Sequence, residues 1–274
     1  MEGKGAQATL PIINKSKWEN LTLSFPKSLP EQQRIVSILD ECFAAIDKAK
    51  ANAEQNLKNA KELFESYLQG VFENRDWETR TINQVSENLD SKRVPITKSK
   101  RKSGDVPYYG ASGIVDYVAE HLFDEDLLCI SEDGANLLAR TYPIAFSISG
   151  KTWVNNHAHV LRFSNQITQK FVEIYINSIK IDDFVSGMAQ PKLNQAMLNK
   201  IPVPFPTLQE QQAIVRQLDA LRSETQKLEA VYQKKINDLE ELKKSILQKA
   251  FAGELTAEKS RRDDMVVEGE MVSQ

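Results

Sequence analysis

The sequence predicts an α+β protein in which one globular domain is flanked by two long helices that pair as an antiparallel coiled coil. Three observations lead to this prediction. A stretch of 42 residues occurs twice in the 274-residue chain, both copies lack proline, and short β-rich runs separated by turn signals lie between them. These features divide the chain into a stub at 1–26, a first helix at 27–74, a globular domain at 77–204, a second helix at 205–255 and a disordered tail at 256–274.

The repeat predicts two equivalent helices. Its first copy begins at Glu31-Gln32-Gln33 and its second at Glu210-Gln211-Gln212, and a constant offset of 179 residues then holds without gaps, with 15 identities over 42 positions. Glu31 and Glu210 lie in the first helical turn, where the helix dipole stabilises negative charge. Ala, Leu, Glu, Gln and Lys dominate both copies and favour helix.

Core residues in both helices recur at alternating steps of four and three, which predicts a coiled-coil seam. The seam positions are Ile35, Leu39, Cys42, Ile46, Ala49, Ala53, Asn56, Ala60, Leu63 and Tyr67 in the first helix, and Ile214, Leu218, Leu221, Thr225, Leu228, Tyr232, Lys235, Leu239, Leu242 and Ile246 in the second. The polar seam residues Asn56 and Lys235 are expected to fix the register. The alternative is that each helix packs separately on a globular body.

Composition and charge restrict the class of protein. No apolar run approaches the roughly 18 residues that a membrane helix needs, and residues 1–10 lack the pattern of a signal peptide. Two cysteines, Cys42 and Cys129, give no disulfide framework, so we expect a protein of the cytoplasm. The net charge of −3 argues weakly against nucleic-acid binding unless positive charge is concentrated on one face.

Positive charge is concentrated near the start of the globular domain. Between residues 92 and 102 there are six cations and no acid, namely Lys92, Arg93, Lys98, Lys100, Arg101 and Lys102. We expect this basic segment (residues 92–102) to contact phosphates. The alternative is a solvated loop.

Several short motifs, in a fixed order, resemble the specificity subunit of type I restriction-modification systems. They are Trp77-Glu78 with Ile82 and Val85, Pro107-Tyr108-Tyr109-Gly110-Ala111-Ser112-Gly113-Ile114 with Tyr117, Glu132-Asp133-Gly134-Ala135-Asn136, Trp153-Val154-Asn155-Asn156-His157-Ala158-His159-Val160-Leu161, Gln190-Pro191-Lys192-Leu193-Asn194, and Ile201-Pro202-Val203-Pro204-Phe205-Pro206 before the second Glu-Gln-Gln. The resemblance covers residues 19–255. A full member of that family has two target recognition domains, each followed by a long helix, whereas here the first is reduced to the stub.

The resemblance implies a non-catalytic subunit that binds double-stranded DNA. Its partners would be methyltransferase subunits that bind S-adenosylmethionine and a restriction and translocase subunit, with ATP and magnesium also bound by partners and no cofactor in this chain. To the basic segment we add Tyr109, Ser112, Arg140, Lys151, Asn155, Asn156, Gln190 and Lys192 as predicted DNA contacts. A homodimer would restore two recognition domains. The other explanation of the stub is truncation.

Catalytic and metal sites are disfavoured because each candidate motif lacks a residue that its chemistry requires. Ser149-Gly150-Lys151-Thr152 resembles the end of a phosphate loop but has Ala145 where that motif needs glycine. His157 and His159 have no third ligand nearby, and the acids at 124–126 and 132–133 lack the close lysine of a metal-dependent nuclease. The remaining alternative is a coiled-coil adaptor whose globular domain binds protein.

Overall fold

The computed structural model describes residues 25–73, 76–187 and 189–255. The tail at 256–274 and all but the last two residues of the stub therefore lie outside the described residues. The chain forms two compact units, one made of residues 1–58 with 230–274 and the other of residues 59–229. Within the described ranges, no helix has the length and apolar character required to cross a membrane.

Two 44-residue helices frame the short elements of the globular domain. The elements in chain order are α1 (Leu29–Phe72), β1 (Thr79–Thr81), α2 (Ile82–Val85), β2 (Glu87–Asn88), β3 (Val106–Gly110), β4 (Gly113–Val118), β5 (Phe123–Asp124), β6 (Leu127–Ser131), α3 (Asn136–Ala139), β7 (Ala145–Ile148), β8 (Lys151–Val154), β9 (Ala158–Arg162), α4 (Gln166–Ser178), α5 (Gln195–Leu198), β10 (Pro202–Pro204) and α6 (Leu208–Phe251). The predicted α+β class, with long helices on either side of a sheet domain, is confirmed.

Two four-stranded sheets build the globular domain. One is antiparallel in the order β2-β9-β6-β7, and the other has the order β4-β3-β8-β5 with β3 and β8 parallel. Successive side chains of β6 point to opposite faces of the sheet. Leu128 and Ile130 therefore join the core beneath α4, whereas Leu127 and Cys129 join the core that contains Phe123 of the second sheet.

The unit of residues 59–229 contains the globular domain and the adjoining ends of both long helices. Phe72 at the end of α1 packs edge-on against Phe171 and Tyr175 of α4, with ring centroids 5.6 and 5.1 Å apart. Val215 and Leu218 near the start of α6 are buried in the same core. This apolar contact fixes the globular domain on the helix ends that belong to the same unit.

The two long helices pair antiparallel, as predicted. In the unit that contains residues 59–229, the guanidinium of Arg222 lies 4.9 Å from the ring centre of Phe64. In the other unit, Lys50 Nζ lies 2.6 Å from Glu240 and Lys243 Nζ lies 2.8 Å from Asp47. Residue numbers rise along one helix as they fall along the other.

The predicted heptad register of the seam is wrong at six of its twenty positions, although later positions such as Ala60, Leu239 and Ile246 are buried or half-buried as predicted. Leu63, Leu228 and Leu242 were assigned to the seam, but their side chains are 52%, 42% and 47% exposed. Asn56 and Lys235 are also exposed, and Tyr67 lies at the margin of the seam, where its hydroxyl donates to Gln217. The remaining seam assignments lie at buried or half-buried positions, among them Ile35, Leu39, Ile46, Leu218, Leu221, Leu239 and Ile246.

Burial in both helices recurs every 11 residues. The buried or half-buried sets are Ile35, Ile46, Leu57 and Leu68 in α1, and Ile214, Thr225, Ile236 and Leu247 in α6. Eleven residues in three turns give about 3.67 residues per turn, which is close to the natural α-helix and removes the need for left-handed supercoiling. The two sets are also 179 residues apart, so equivalent positions of the sequence repeat are buried in both helices.

Candidate nucleic-acid interface

Four loops meet at one edge of the globular domain. Because β3 and β8 run parallel, both strands end at the same edge, where the Asn155 N–H donates to the Tyr109 carbonyl at 3.0 Å. The Glu132 N–H donates to the His157 carbonyl at 2.9 Å, and the Leu193 N–H donates to the Glu132 carbonyl at 2.8 Å. We call this surface the loop edge and define it as residues 109–113, 131–134, 155–157 and 190–193.

Five loop-edge side chains are exposed and able to hydrogen-bond with a ligand: Ser112, Asn156, His157, Gln190 and Lys192. All but His157 are among the DNA contacts predicted from sequence, so the structure brings those four together. Tyr109 is half-buried and stacks on Phe146, with ring centroids 5.9 Å apart. Asn155 is buried, and its Oδ1 accepts the His157 N–H at 2.8 Å, so it shapes the loop instead of facing solvent.

A buried charge network supports the loop edge. His159 is 1% exposed; its Nδ1 lies 2.6 Å from Asp90 Oδ2, and its Nε2 lies 2.7 Å from the Leu193 carbonyl oxygen. Burial alone would raise the pKa of Asp90, but its hydrogen bond with His159 and the charges of His159 and Arg93 hold that pKa below its usual range.

Glu132 joins this network to the surface. Arg93 Nη1 donates to Glu132 Oε2 at 2.7 Å and to the Ala158 carbonyl, while Lys192 Nζ lies 3.2 Å from Glu132 Oε1. Burial favours a raised pKa for Glu132, yet these cations and His159 keep it lowered. Arg93 is therefore held by partners inside the domain, and its DNA contact stays a prediction.

The second half of the basic segment, residues 98–102, lies at the opposite end of β3. The Ala119 N–H, just after β4, donates to the Lys102 carbonyl, and the β3 strand then runs five residues to the loop edge. At a rise of about 3.3 Å per residue, the two ends are separated by roughly 16 Å. The predicted DNA contacts therefore form two groups.

Within this second group, three lysines are exposed and one arginine is engaged. Lys98, Lys100 and Lys102 are exposed, and Lys102 lies 3.6 Å from Glu120. The Arg101 guanidinium donates to Asp116 at 2.8 Å and lies 4.2 Å from the Tyr108 ring centre. Arg101 therefore anchors the segment to β3 and β4.

Besides Arg93, three predicted contacts lie outside both groups. Arg140 donates to the carbonyls of Ile176 and Ile179 near the end of α4, and burial lowers its pKa. Lys151 is exposed at the start of β8, and Lys92 is exposed in the turn after β2. The side chain of Arg140 stabilises a helix end, so we leave it out of the interface.

Two side chains of the interface were missed as contacts by the sequence analysis. His157 is 51% exposed and its Nδ1 lies 2.7 Å from Asp133 Oδ2. The hydroxyl of Tyr142, from the loop after α3, lies 3.0 Å from the hydroxyl of Ser112. The Asn-Asn-His run before β9 could have indicated His157 from the sequence. Tyr142 could not be found in this way, because its place in the interface depends on a contact with a residue 30 positions away.

The two histidines once considered as metal ligands bind separate carboxylates. His157 is paired with Asp133 at the surface, whereas His159 is paired with Asp90 in the interior. In the three ranges that the structure describes, no group of three or more His, Cys, Asp or Glu side chains is placed to hold a metal ion.

Comparisons with known proteins identify relatives of this architecture. A family model described as type I restriction modification DNA specificity domain matches residues 74–241. A putative type I restriction enzyme specificity subunit of Haemophilus influenzae is 34% identical over 160 residues, covering 58% of this chain and 41% of that protein. The EcoDI specificity subunit of Escherichia coli is 23% identical over 310 aligned positions, covering 97% of this chain and 69% of that protein.

Solved structures share the fold. A chain from a study of assembly of the type I R-M system superimposes with a TM-score of 0.71 at 17% identity, covering 89% of this chain and 64% of that one. The HsdS subunit from Thermoanaerobacter tengcongensis gives a TM-score of 0.57 at 18% identity, covering 92% and 65%. The present chain thus spans less than half of the Haemophilus relative and just under two thirds of these solved chains.

Proposed function

Because the chain belongs to the family of type I restriction modification DNA specificity domains, we propose that it directs such a complex to its target by reading DNA with the loop edge. One observation carries the proposal: exposed hydroxyl, amide, imidazole and ammonium groups from three of the four loops meet on one edge of the domain. These are the groups that recognise base edges in the major groove. An adaptor that binds only protein is not favoured by this family membership.

The three exposed lysines of the basic segment, Lys98, Lys100 and Lys102, are proposed to contact the phosphate backbone. Phosphates line both sides of a major groove that is about 12 Å wide. A separation of roughly 16 Å from the loop edge, given by the length of β3, suits a division between base contacts and phosphate contacts.

This division is tested by replacing Lys98, Lys100 and Lys102 with alanine. Binding to all DNA sequences is expected to weaken alike, and the slope of log K against log salt to fall by about three units, one per lost phosphate contact. A matched control replaces Lys227, Lys234 and Lys244, three exposed lysines of α6. Equal salt slopes for the two triple variants would reject the proposed phosphate contacts.

The chemistry of the complex is proposed to belong to partner subunits. The resemblance assigns S-adenosylmethionine to methyltransferase subunits, and ATP and magnesium to a restriction subunit. The acids at the loop edge support this division of labour, because Glu132 is bound by Arg93 and Lys192, and Asp133 by His157. A purified chain that methylates or cleaves DNA without partners would contradict this proposal.

A second copy of the chain is proposed to cover an apolar groove in the unit formed by the start of α1 and the end of α6. The groove has a volume of about 460 Å3, and Val36 and Phe251 in its wall are 54% and 72% exposed. Their repeat equivalents, Val215 and Phe72, are covered by the globular domain. The groove is thus an exposed copy of an apolar surface that the globular domain covers at the other end of the repeat.

Equivalent hydrogen bonds support the comparison of these two ends. Gln32 Nε2 donates to the Pro26 carbonyl at 2.6 Å, and Gln211 Nε2 donates to the Pro206 carbonyl at 2.9 Å. In the domain-bound case, Gln211 Oε1 also accepts from the Thr168 hydroxyl of α4. In a two-fold dimer, the grooves of two copies bury each other, because an isologous interface uses the same patch twice.

Light-scattering mass tests the dimer. Phe251→Glu is expected to convert a dimer of the wild-type chain into a monomer, because it places a charge in the apolar interface. Leu242→Glu, at an exposed position of the same helix, is the control and should leave the mass unchanged. A wild-type chain that is monomeric across the concentration range would reject the homodimer.

A further inference from the structure

His157 is the one histidine of the loop edge, and its ring is held in place. Its Nδ1 lies 2.7 Å from Asp133 Oδ2, and its backbone is fixed through Asn155 Oδ1 and the Glu132 N–H. With Nδ1 directed at a carboxylate, Nε2 has no hydrogen-bond partner among the described residues, and the side chain is 51% exposed. When the ring is protonated, Nε2 carries an N–H donor with positive charge.

We propose that His157 binds a DNA phosphate as an imidazolium, with Asp133 as its positioning residue, so that DNA binding takes up a proton. The inference rests on the proposed DNA-binding function and adds to it a contact that the sequence did not suggest. A charged N–H directed at a phosphate oxygen forms one of the stronger classes of hydrogen bond.

The charges that face His157 favour this assignment. Asp133 pairs with the ring, and Glu132 is bound by both Arg93 and Lys192. A third acid of this network, Asp90, is buried 3.4 Å from Arg93. Protonation of His157 raises the local charge by one unit. His159, two residues further along the chain, is turned to the interior and pairs with Asp90. The added proton therefore creates the positive charge that a phosphate requires.

The expected consequence is an affinity for DNA that falls as pH rises. A phosphate contact made only by the imidazolium is lost when the ring is neutral, which we expect to weaken binding by about fivefold between pH 6 and pH 8. The loss should occur on every duplex sequence alike, because phosphate contacts carry no base information.

The experiment measures binding of the full chain to a random-sequence duplex at several pH and salt values. His157→Gln is expected to remove the pH dependence and to lower the salt slope by about one unit at pH 6. His121→Gln, which changes an exposed histidine before β5, is the matched control and should behave like the wild type. Thermal unfolding of both variants verifies that the fold is retained.

Asp133→Asn distinguishes a positioning role from a structural one. Without the carboxylate, the imidazolium is less favoured, so the pH at which affinity falls should move to a lower value. A pH profile of His157→Gln that matches the wild type, or a loss confined to one DNA sequence, would overturn the proposal while leaving DNA binding intact. A wild-type chain that binds no DNA at any pH would overturn both this proposal and the proposed DNA-binding function on which it rests.

Discussion

At the scale of single residues, partners that are distant in sequence decide whether a charged side chain is free to contact DNA. Arg93 and Arg101 belong to the basic segment, yet they bind Glu132 and Asp116, which lie 39 and 15 residues away. The sequence predicted where the cations are concentrated, but local charge patterning contains no information about these pairings. His157 was missed for the same reason, because its orientation depends on Asp133.

The buried pair of His159 and Asp90 makes the domain sensitive to acid. Because the folded-state pKa of Asp90 is below its unfolded value of about 3.9, the ionised carboxylate stabilises the fold above that pH. This contribution is lost as pH falls through the lower, folded-state pKa. The account therefore predicts loss of stability at the acid end of the range.

Asp90→Asn is expected to lower the free energy of unfolding at pH 7 by about 3 kcal/mol, since it removes the charged partner of a buried hydrogen-bonded pair. The difference from the wild type should shrink in acid, as pH falls through the lowered folded-state pKa of Asp90. Urea unfolding over a series of pH values measures both effects. Glu120→Gln, at an exposed acid, is the control, and equal losses for the two variants would contradict a special role for the buried pair.

At the scale of elements, the sequence predicted two long antiparallel helices but not the detail of their seam. A heptad and an 11-residue repeat assign the same positions as far as Ala53, and Leu63 and Leu242 then fit the heptad as apolar residues. The structure instead turns Leu57 and Phe64 inward. Apolarity alone does not separate the two registers; the natural pitch of the helix and contact with the partner helix do.

The symmetry of the pairing follows the repeat. Lys243 lies over the ring of Phe43 with Nζ 4.9 Å from its centre, and Arg222 lies 4.9 Å over the ring of Phe64. An offset of 179 residues relates Phe43 to Arg222 and Phe64 to Lys243, so the two contacts use equivalent positions of the repeat. The repeated sequence therefore forms the same type of cation–aromatic contact at two places along the helix pair.

Ile236 and Leu242 provide a direct test of the observed register. Ile236 is 8% exposed and Leu242 is 47% exposed, although only Leu242 fits the heptad. Ile236→Asp is expected to lower the free energy of unfolding by about 3 kcal/mol or more, because it buries a charge without a partner. Leu242→Asp should change it by less than about 0.5 kcal/mol. Urea unfolding measures both, and the reverse order would restore the heptad register.

At the scale of the whole molecule, the order of elements was predictable because the amino-acid composition changes along the chain. Proline-free stretches rich in helix formers surround a domain in which Gly and Pro punctuate short strands, and the repeat makes the two helices equivalent. The loop edge was predicted in part, since motif residues such as Ser112, Asn156 and Gln190 meet there. Its separation from the basic segment depends on strand pairing, which the sequence does not specify.

The central claim is that the loop edge selects the DNA sequence on which a type I complex acts. The most direct measurement maps methylated bases in the genome of cells that produce the complete system with either the wild-type chain or the double variant Asn156→Ala, Gln190→Ala. We expect the double variant to lose or change the methylated motif, while Asn52→Ala, at an exposed position of α1, keeps the wild-type motif. The same motif methylated to the same extent by the wild type and the double variant would contradict the claim.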